Sequence, residues 1–238
     1  MVYDSVRDRS VVFGGLTATP FADTWELVGA TWQPQTINPP PTARGLHAMV
    51  YEPVRQRAVV LGGCGALTPG FQCAVPVLDS AEYDGTSWQV SSLAPPPTRV
   101  HGAAAYDTAR REMVVFGGYS AVGGSELGDT WTFDGLHWAE NPSAGPSARA
   151  LTAMTYDATR EKGGLFGGCS DVSFTMPGCA QAESDTWEYD GASWTPISTG
   201  AGPSARHSHG LAWDAARGVV VLYGGASASG VTDGETWE

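Results

Sequence analysis

Val114-Val115-Phe116-Gly117-Gly118, followed by Asp129-Thr130-Trp131, Asp134-Gly135 and Trp138, is a full copy of a unit that recurs, with gaps, five times along the chain. Gly-Gly pairs stand at Gly14-Gly15, Gly62-Gly63, Gly117-Gly118, Gly167-Gly168 and Gly224-Gly225, spaced by 48, 55, 50 and 57 residues. Each follows a short run: Val11-Val12-Phe13, Val59-Val60-Leu61, Val114-Val115-Phe116, Gly164-Leu165-Phe166 and Val221-Leu222-Tyr223. Upstream of each run lie an aromatic–acid pair and then an Arg, as in Tyr3-Asp4 with Arg7, Tyr51-Glu52 with Arg55 and Trp213-Asp214 with Arg217. Downstream, two Trp residues lie seven apart in three copies (Trp25/Trp32, Trp131/Trp138, Trp187/Trp194), while Ala81 replaces the first Trp before Trp88. Self-similarity at a period near 50 residues marks a repeat architecture.

Each unit reads as four short strands, named A to D. Runs of four to seven residues rich in Val, Tyr, Trp and Thr, bounded by Gly, Asp and Pro, are strand signals. A carries the Tyr-Asp end, B ends in Gly-Gly, C runs through Asp-Thr-Trp and D starts near the second Trp. The Asp-Gly steps before D suit tight turns, since glycine accepts positive φ. Small residues crowd strand A (Ala48, Ala103, Ala104, Ala105, Ala153, Ala212), as a strand nearest a converging axis requires. Four strands per unit at this period describe the blades of a β-propeller.

The apolar run with Gly-Gly and the aromatics seven apart resemble the Kelch-repeat family over essentially the whole chain. The expected fold is an all-β, Kelch-type propeller of about five blades of four antiparallel strands. The expected units are residues 1–41, 42–97, 98–146, 147–203 and 204–238, in a single domain or a fragment of a longer propeller. The last unit lacks the Asp-Gly-x-x-Trp segment, so three strands are expected there, and the outer edge of its C strand is open to pairing.

Composition sets limits. The 238 residues are 42% hydrophobic and 16% charged, and glycine (31) and proline (16) form about a fifth of them, which opposes a helical bundle. No apolar run approaches the roughly 18 to 20 residues that span a bilayer, and no basic-then-apolar leader opens the chain. The net charge of −12 and the absence of a Lys/Arg stripe oppose nucleic-acid binding. Lys162 is the only lysine, so a lysine-nucleophile mechanism would rest on it alone.

Cys64 and Cys169 each follow a Gly-Gly pair directly, with Cys73 and Cys179 later in the same B–C loops. This equivalence favours disulfides Cys64–Cys73 and Cys169–Cys179 over four free thiols. Neither loop holds His or a C-x₂-C spacing, which weakens a metal reading. Disulfides place the chain in an oxidising compartment, extracellular or periplasmic.

The Asp-x-x-Arg pairs of the A–B hairpins recur in four copies (a Glu stands in the second), as a structural role would produce. A second series, Arg44, Arg99, Arg149 and Arg206, stands seven residues before each repeat aromatic, at the start of strand A. The start of A and the end of B share one blade face, so this series and the long B–C loops share one mouth of the channel. His47, His101, His207 and His209 accompany it. Two readings stay open: these arginines contact a ligand (a small anion, glycan or peptide), or they bond carbonyls of the neighbouring blade. The resemblance points to loops of this face as the ligand site. The expected function is a binding or interaction module without cofactor or resident metal; the alternative is a secreted carbohydrate-active enzyme resembling Kelch-type sialic acid mutarotases or copper oxidases. The copper enzymes need a Tyr cross-linked to Cys among His ligands, which four mutually paired cysteines would not supply. The mutarotases use Arg and acidic groups at the mouth, a pattern the Arg series would also fit.

Overall fold

In the computed structural model, residues 1–70, 72–173, 178–198 and 200–238 are described, and no helix occurs among them. Blade 1 holds β1 (Val2–Asp4), β2 (Arg9–Leu16), β3 (Pro20–Val28) and β4 (Thr31–Gln35). Blade 2 holds β5 (Ala48–Glu52), β6 (Arg57–Leu61), β7 (Ser80–Tyr83) and β8 (Trp88–Val90). Blade 3 holds β9 (Ala103–Asp107), β10 (Glu112–Ser120), β11 (Ser125–Phe133) and β12 (Trp138–Asn141). Blade 4 is built from β13 (Ala153–Asp157), β14 (Lys162–Phe166), β17 (Thr186–Tyr189) and β18 (Trp194–Ile197). Its B–C loop carries a further hairpin, β15 (Cys169–Val172) with β16 (Cys179–Ala182), which the repeat does not announce. Blade 5 has three strands, β19 (Gly210–Asp214), β20 (Val219–Tyr223) and β21 (Thr236–Trp237).

Every blade is an antiparallel meander in chain order, and the five sheets form a five-bladed β-propeller. The A strands (β1, β5, β9, β13, β19) make the closest approach between successive blades, which suits the alanines of β5, β9, β13 and β19. Packing clusters bridge blades 1 and 2 (Val11, Phe13, Val60, Trp88), 2 and 3 (Val59, Leu61, Met113, Phe133), and 3 and 4 (Phe116, Leu165, Tyr189, Trp194). Each buried side chain of this size stabilises by roughly 1.5–3 kcal/mol, so these seams carry much of the fold.

Two devices lock the blades together, and the repeated residues supply both. At the turn face, Arg7 pairs with Asp4 and with Glu26 on strand C, each at 2.6 Å, and Arg55 pairs with Glu52 (2.5 Å) and Glu82 (2.8 Å). Arg7, Arg55 and Arg110 also lie against the C–D turn glycine of the next blade: a Cβ on Gly85, Gly135 or Gly191 would come within 2.5 Å, 2.4 Å or 1.9 Å of a guanidinium atom. The Asp-x-x-Arg series is structural, and the Asp-Gly turn is glycine for space as well as for φ. At the opposite face the first glycine of Gly-Gly takes φ near +60° and abuts the next blade, where a Cβ on Gly117 would stand 2.5 Å from the Arg149 carbonyl oxygen.

Candidate functional site

The second arginine series lies in this seam. The backbone carbonyl of each Arg accepts a hydrogen bond from the second glycine of the preceding blade: Gly15 N to Arg44 O (2.9 Å), Gly63 to Arg99 (3.1 Å), Gly118 to Arg149 (2.9 Å) and Gly168 to Arg206 (2.9 Å). The guanidinium turns the other way, into its own blade. Nη1 donates to the first Gly-Gly carbonyl eighteen residues on, at 3.2 Å (Gly62), 3.0 Å (Gly117), 3.1 Å (Gly167) and 3.0 Å (Gly224). A carboxylate in strand C (Asp129) or just ahead of it closes the other side: Asp79 at 2.5 Å from Arg44, Asp129 at 2.8 Å from Arg99, Asp185 at 2.5 Å from Arg149, and both Asp233 (3.1 Å) and Glu235 (3.3 Å) from Arg206. All four arginines are at most 2% exposed. Of the two readings left open, the one that has the side chains bond the neighbouring blade differs from what is seen: the backbone makes the inter-blade bond, and the side chain ties B to C within a blade. The geometry is that of a frame around the mouth.

The Asp-Thr-Trp triplet can now be read residue by residue. Asp129 holds Arg99 through both oxygens and also accepts from Trp131 Nε1 at 2.7 Å. Burial alone would raise the Asp129 pKa, but Arg99 and the Trp131 indole hold it below the usual carboxylate range. Thr130 Oγ1 accepts the Nε1–H of Trp194, one blade further, at 2.9 Å, and Thr24 does the same for Trp88 at 2.9 Å. The carboxylate partners were not singled out from sequence, although their repetition in Asp129 and Asp185 was the available signal.

Two residues beyond each Arg, Leu46, His101, Leu151 and Ser208 adopt φ of 57° to 59°. Their backbones form a chain around the mouth: His101 N–H donates to Leu46 O (3.0 Å), Leu151 to His101 (3.0 Å) and Ser208 to Leu151 (2.8 Å). Left-handed backbone in Leu costs about 1–2 kcal/mol, offset in part by these inter-blade hydrogen bonds. No residue type marks the position, so no sequence signal exists for it.

The histidines do not converge. His101 sits in the left-handed position, His47 and His209 one residue later in blades 2 and 5, and His207 one residue earlier. Among the described residues no three His, Cys, Asp or Glu side chains are grouped as a metal site would need. Burial lowers the pKa of His47 to about 3 and those of His101 and His209 to about 4, so these rings are neutral near pH 7.

The B–C loops rise above this frame. Cys64 and Cys73 are bonded, as are Cys169 and Cys179, in the expected pairs. Cys64 also exchanges backbone bonds with Gly45 at 2.8 and 2.9 Å, and Cys169 with Ala150 at 2.7 and 2.9 Å, which anchors both loops at the start of strand A. Adjacent loops touch where Val172 N–H donates to Glu126 of blade 3 at 2.7 Å. Phe21, Val75, Leu78, Val122 and Val231 are exposed in or beside the loops of four blades. The other end of the channel is a cavity of about 400 Å³ ringed by the repeat aromatics Tyr3, Tyr51, Tyr106, Tyr156 and Trp213.

Fold and mouth define a blade-repeat propeller whose repeated charges serve the scaffold. The model of the KLHDC2/KLHL20/DRC7 Kelch-repeats domain matches residues 54–237, and the chain belongs to that Kelch-repeat family. Among solved structures it is similar to the one described as "Structure of YjhT", with a TM-score of 0.73 and 13% identity, covering 95% of this chain and 76% of that one. At that identity the likeness shows the fold alone. No curated protein sequence matches the chain.

Proposed function

We propose that this propeller is a binding module of an extracellular or periplasmic protein, and that its contact surface is the B–C loop face. One observation carries the reading: residues that repeat in every blade are consumed by the scaffold, whereas the blades differ in their B–C loops. Blade 1 crosses from B to C in a few residues, whereas blades 2 and 4 use loops of more than ten residues, each cross-linked. Ordering such loops costs conformational entropy, which a disulfide reduces in the unfolded chain. A braced, exposed loop with apolar residues at its rim is suited to meeting a partner with little further loss of freedom.

The arginines then act as the frame of the site, and His101 and the loop residues above it are nearer the contact. The charge of −12 favours a neutral or cationic partner, such as a glycan or a basic peptide. The test is a glycan and peptide array probed with the purified chain and with a variant whose residues 65–72 are replaced by Gly-Ser repeats. The expected result is a hit lost in the variant at nearly unchanged melting temperature. A hit retained in full by that variant overturns the assignment of the face.

A further inference from the structure

The two disulfides of the loop face differ in their access to a thiol. Their loops are nearly equal in length, with cysteines 9 and 10 residues apart, so closure entropy does not separate them. Burial does. Cys64, Cys169 and Cys179 are each 0% exposed, whereas Cys73 is half-buried between exposed Gln72 and Ala74. A thiolate opens a disulfide by attacking one of its sulfurs, so exchange has a way in at Cys73 and none at the blade 4 pair.

Charge separates the two pairs in the same direction. Residues 64–78 carry no ionisable side chain besides the two cysteines, and Asp79 beyond them is paired with Arg44 at 2.5 Å. The blade 4 hairpin instead meets three carboxylates. Asp171 is exposed on β15, Glu183 accepts from Ser170 at 2.5 Å and Gln181 at 3.2 Å, and Glu126 of blade 3 accepts from Val172 at 2.7 Å. These repel an anionic thiolate. Backbone pairing is a third difference. β15 and β16 pair at Cys169–Ala182, Asp171–Gln181 and Val172–Cys179, which gives that hairpin a ladder of its own. The blade 2 loop has single bridges, Leu67 with Cys73 and Cys64 with Pro76, and each includes a cysteine of the bond.

We propose that Cys64–Cys73 is a thiol-exchange switch of the loop face, with Cys169–Cys179 as its structural counterpart. One thiolate of a dithiol reductant attacks Cys73 Sγ. The bond between Cys73 and Cys64 breaks, and Cys64 leaves as a thiolate that takes a proton from water. The second thiolate of the reductant then attacks the reductant's own sulfur in the mixed disulfide, and Cys73 leaves and is protonated in turn. The reductant ends as its disulfide, and two electrons have passed to the protein. Cys64 stays anchored by its two backbone bonds with Gly45, at 2.8 and 2.9 Å, while the loop beyond it is released. One loop of the contact surface is thereby withdrawn and the blades are kept. That consequence rests on the loop-face reading; the order of exchange does not.

The test is timed reduction of the 238-residue chain with dithiothreitol, trapped with N-ethylmaleimide and read by peptide mapping. Cys64 and Cys73 should be labelled at least about tenfold faster than Cys169 and Cys179, with the circular dichroism spectrum retained. Equal rates, or earlier labelling of the blade 4 pair, overturn the proposal. Single variants read the direction of attack through reaction with an aromatic disulfide. The thiol left in Cys64→Ser should react faster than the thiol left in Cys73→Ser, and the reverse order overturns the route. Protein trapped with only the first pair open should lose the array hit that the Gly-Ser loop variant loses. A hit lost in that variant but kept by the opened protein overturns the switch and leaves the face assignment standing. A hit kept by the variant removes the face assignment, and the labelling order still decides the exchange.

Discussion

Arg99→Ala separates a frame residue from a ligand contact. The Arg99 side chain makes a two-pronged pair with Asp129 at 2.9 and 2.8 Å and donates to the Gly117 carbonyl at 3.0 Å and the Pro97 carbonyl at 3.2 Å. Truncation leaves the carboxylate and the Gly117 carbonyl without this donor, at the point where blade 3 turns from B to C. Breaking a buried ion pair from one side costs about 3–5 kcal/mol. Asp129 retains 19% side-chain exposure, so water recovers part of its solvation and the lower end, about 3 kcal/mol, is expected. For a chain of this size each kcal/mol moves the melting temperature by roughly 2–4 °C, giving a fall of about 6–12 °C. Arg99→Lys keeps the charge but loses the fork, and should fall between the two. The assay is thermal unfolding followed by circular dichroism at pH 7. A fall of less than about 2 °C for Arg99→Ala refutes the frame, and loss of ligand binding at unchanged melting temperature returns Arg99 to the contact surface.

Other outcomes follow from the same geometry. Gly135→Ala places a Cβ 2.4 Å from Arg55 Nε at φ +93°, whereas Gly29→Ala, at φ +61° with open space around it, meets backbone strain alone; Gly135→Ala should be the more destabilising in a melt, and equal effects would disprove the packing role of the turn glycine. His101, His47 and His209 bind protons less readily folded than unfolded, so between pH 6.5 and about 4 the unfolded chain holds more protons and stability falls as pH falls, by up to about 1.4 kcal/mol per pH unit for each group. His101→Asn, which tolerates the left-handed backbone, should flatten that decline in a pH series of melts. Cys64→Ser with Cys73→Ser should cost about 3 kcal/mol in the chain-entropy model, and non-reducing peptide mapping of the native protein should find only the Cys64–Cys73 and Cys169–Cys179 pairs. A cationic peptide that binds the loop face should associate more slowly as salt rises from about 0.02 to 0.3 M, because the Debye length shortens; a salt-independent rate would exclude steering by the acidic surface.

What was legible in the sequence is what repeats. Gly-Gly with its apolar run gave the B strand of every blade, and Asp-Gly before Trp138 or Trp194 gave the C–D turn, because glycine and tryptophan there meet fixed neighbours. The cysteine pairing followed from two equivalent loops. The fate of the arginines was half legible: their face was, but their partners were not, since the carboxylates lie 27 to 36 residues away across strand B. The arc of Leu46, His101, Leu151 and Ser208 was invisible, because tertiary hydrogen bonds impose its φ on leucine, histidine and serine alike. The β15–β16 hairpin was invisible as well, since it belongs to one blade and has no second copy to reveal it.

The same division explains the mouth's electrostatics. Among the described residues, ion pairs engage Lys162 and every arginine except Arg57 and Arg111. A ring of four arginines therefore adds little positive potential at the channel, because each is sealed within 3.1 Å of an acid. With 25 acidic and 13 basic residues, the unpaired remainder is negative, and that remainder is what a partner meets. An anion arriving at the mouth would face carboxylates first and find the guanidinium donors already committed to Gly62, Gly117, Gly167 and Gly224. Freeing one donor would mean breaking a buried pair, a cost of several kcal/mol that a single new carboxylate contact in the same place would at best return. A small anion therefore has no free guanidinium to meet among Arg44, Arg99, Arg149 and Arg206, which is what sets the proposed contact surface on the loops rather than on the arginines.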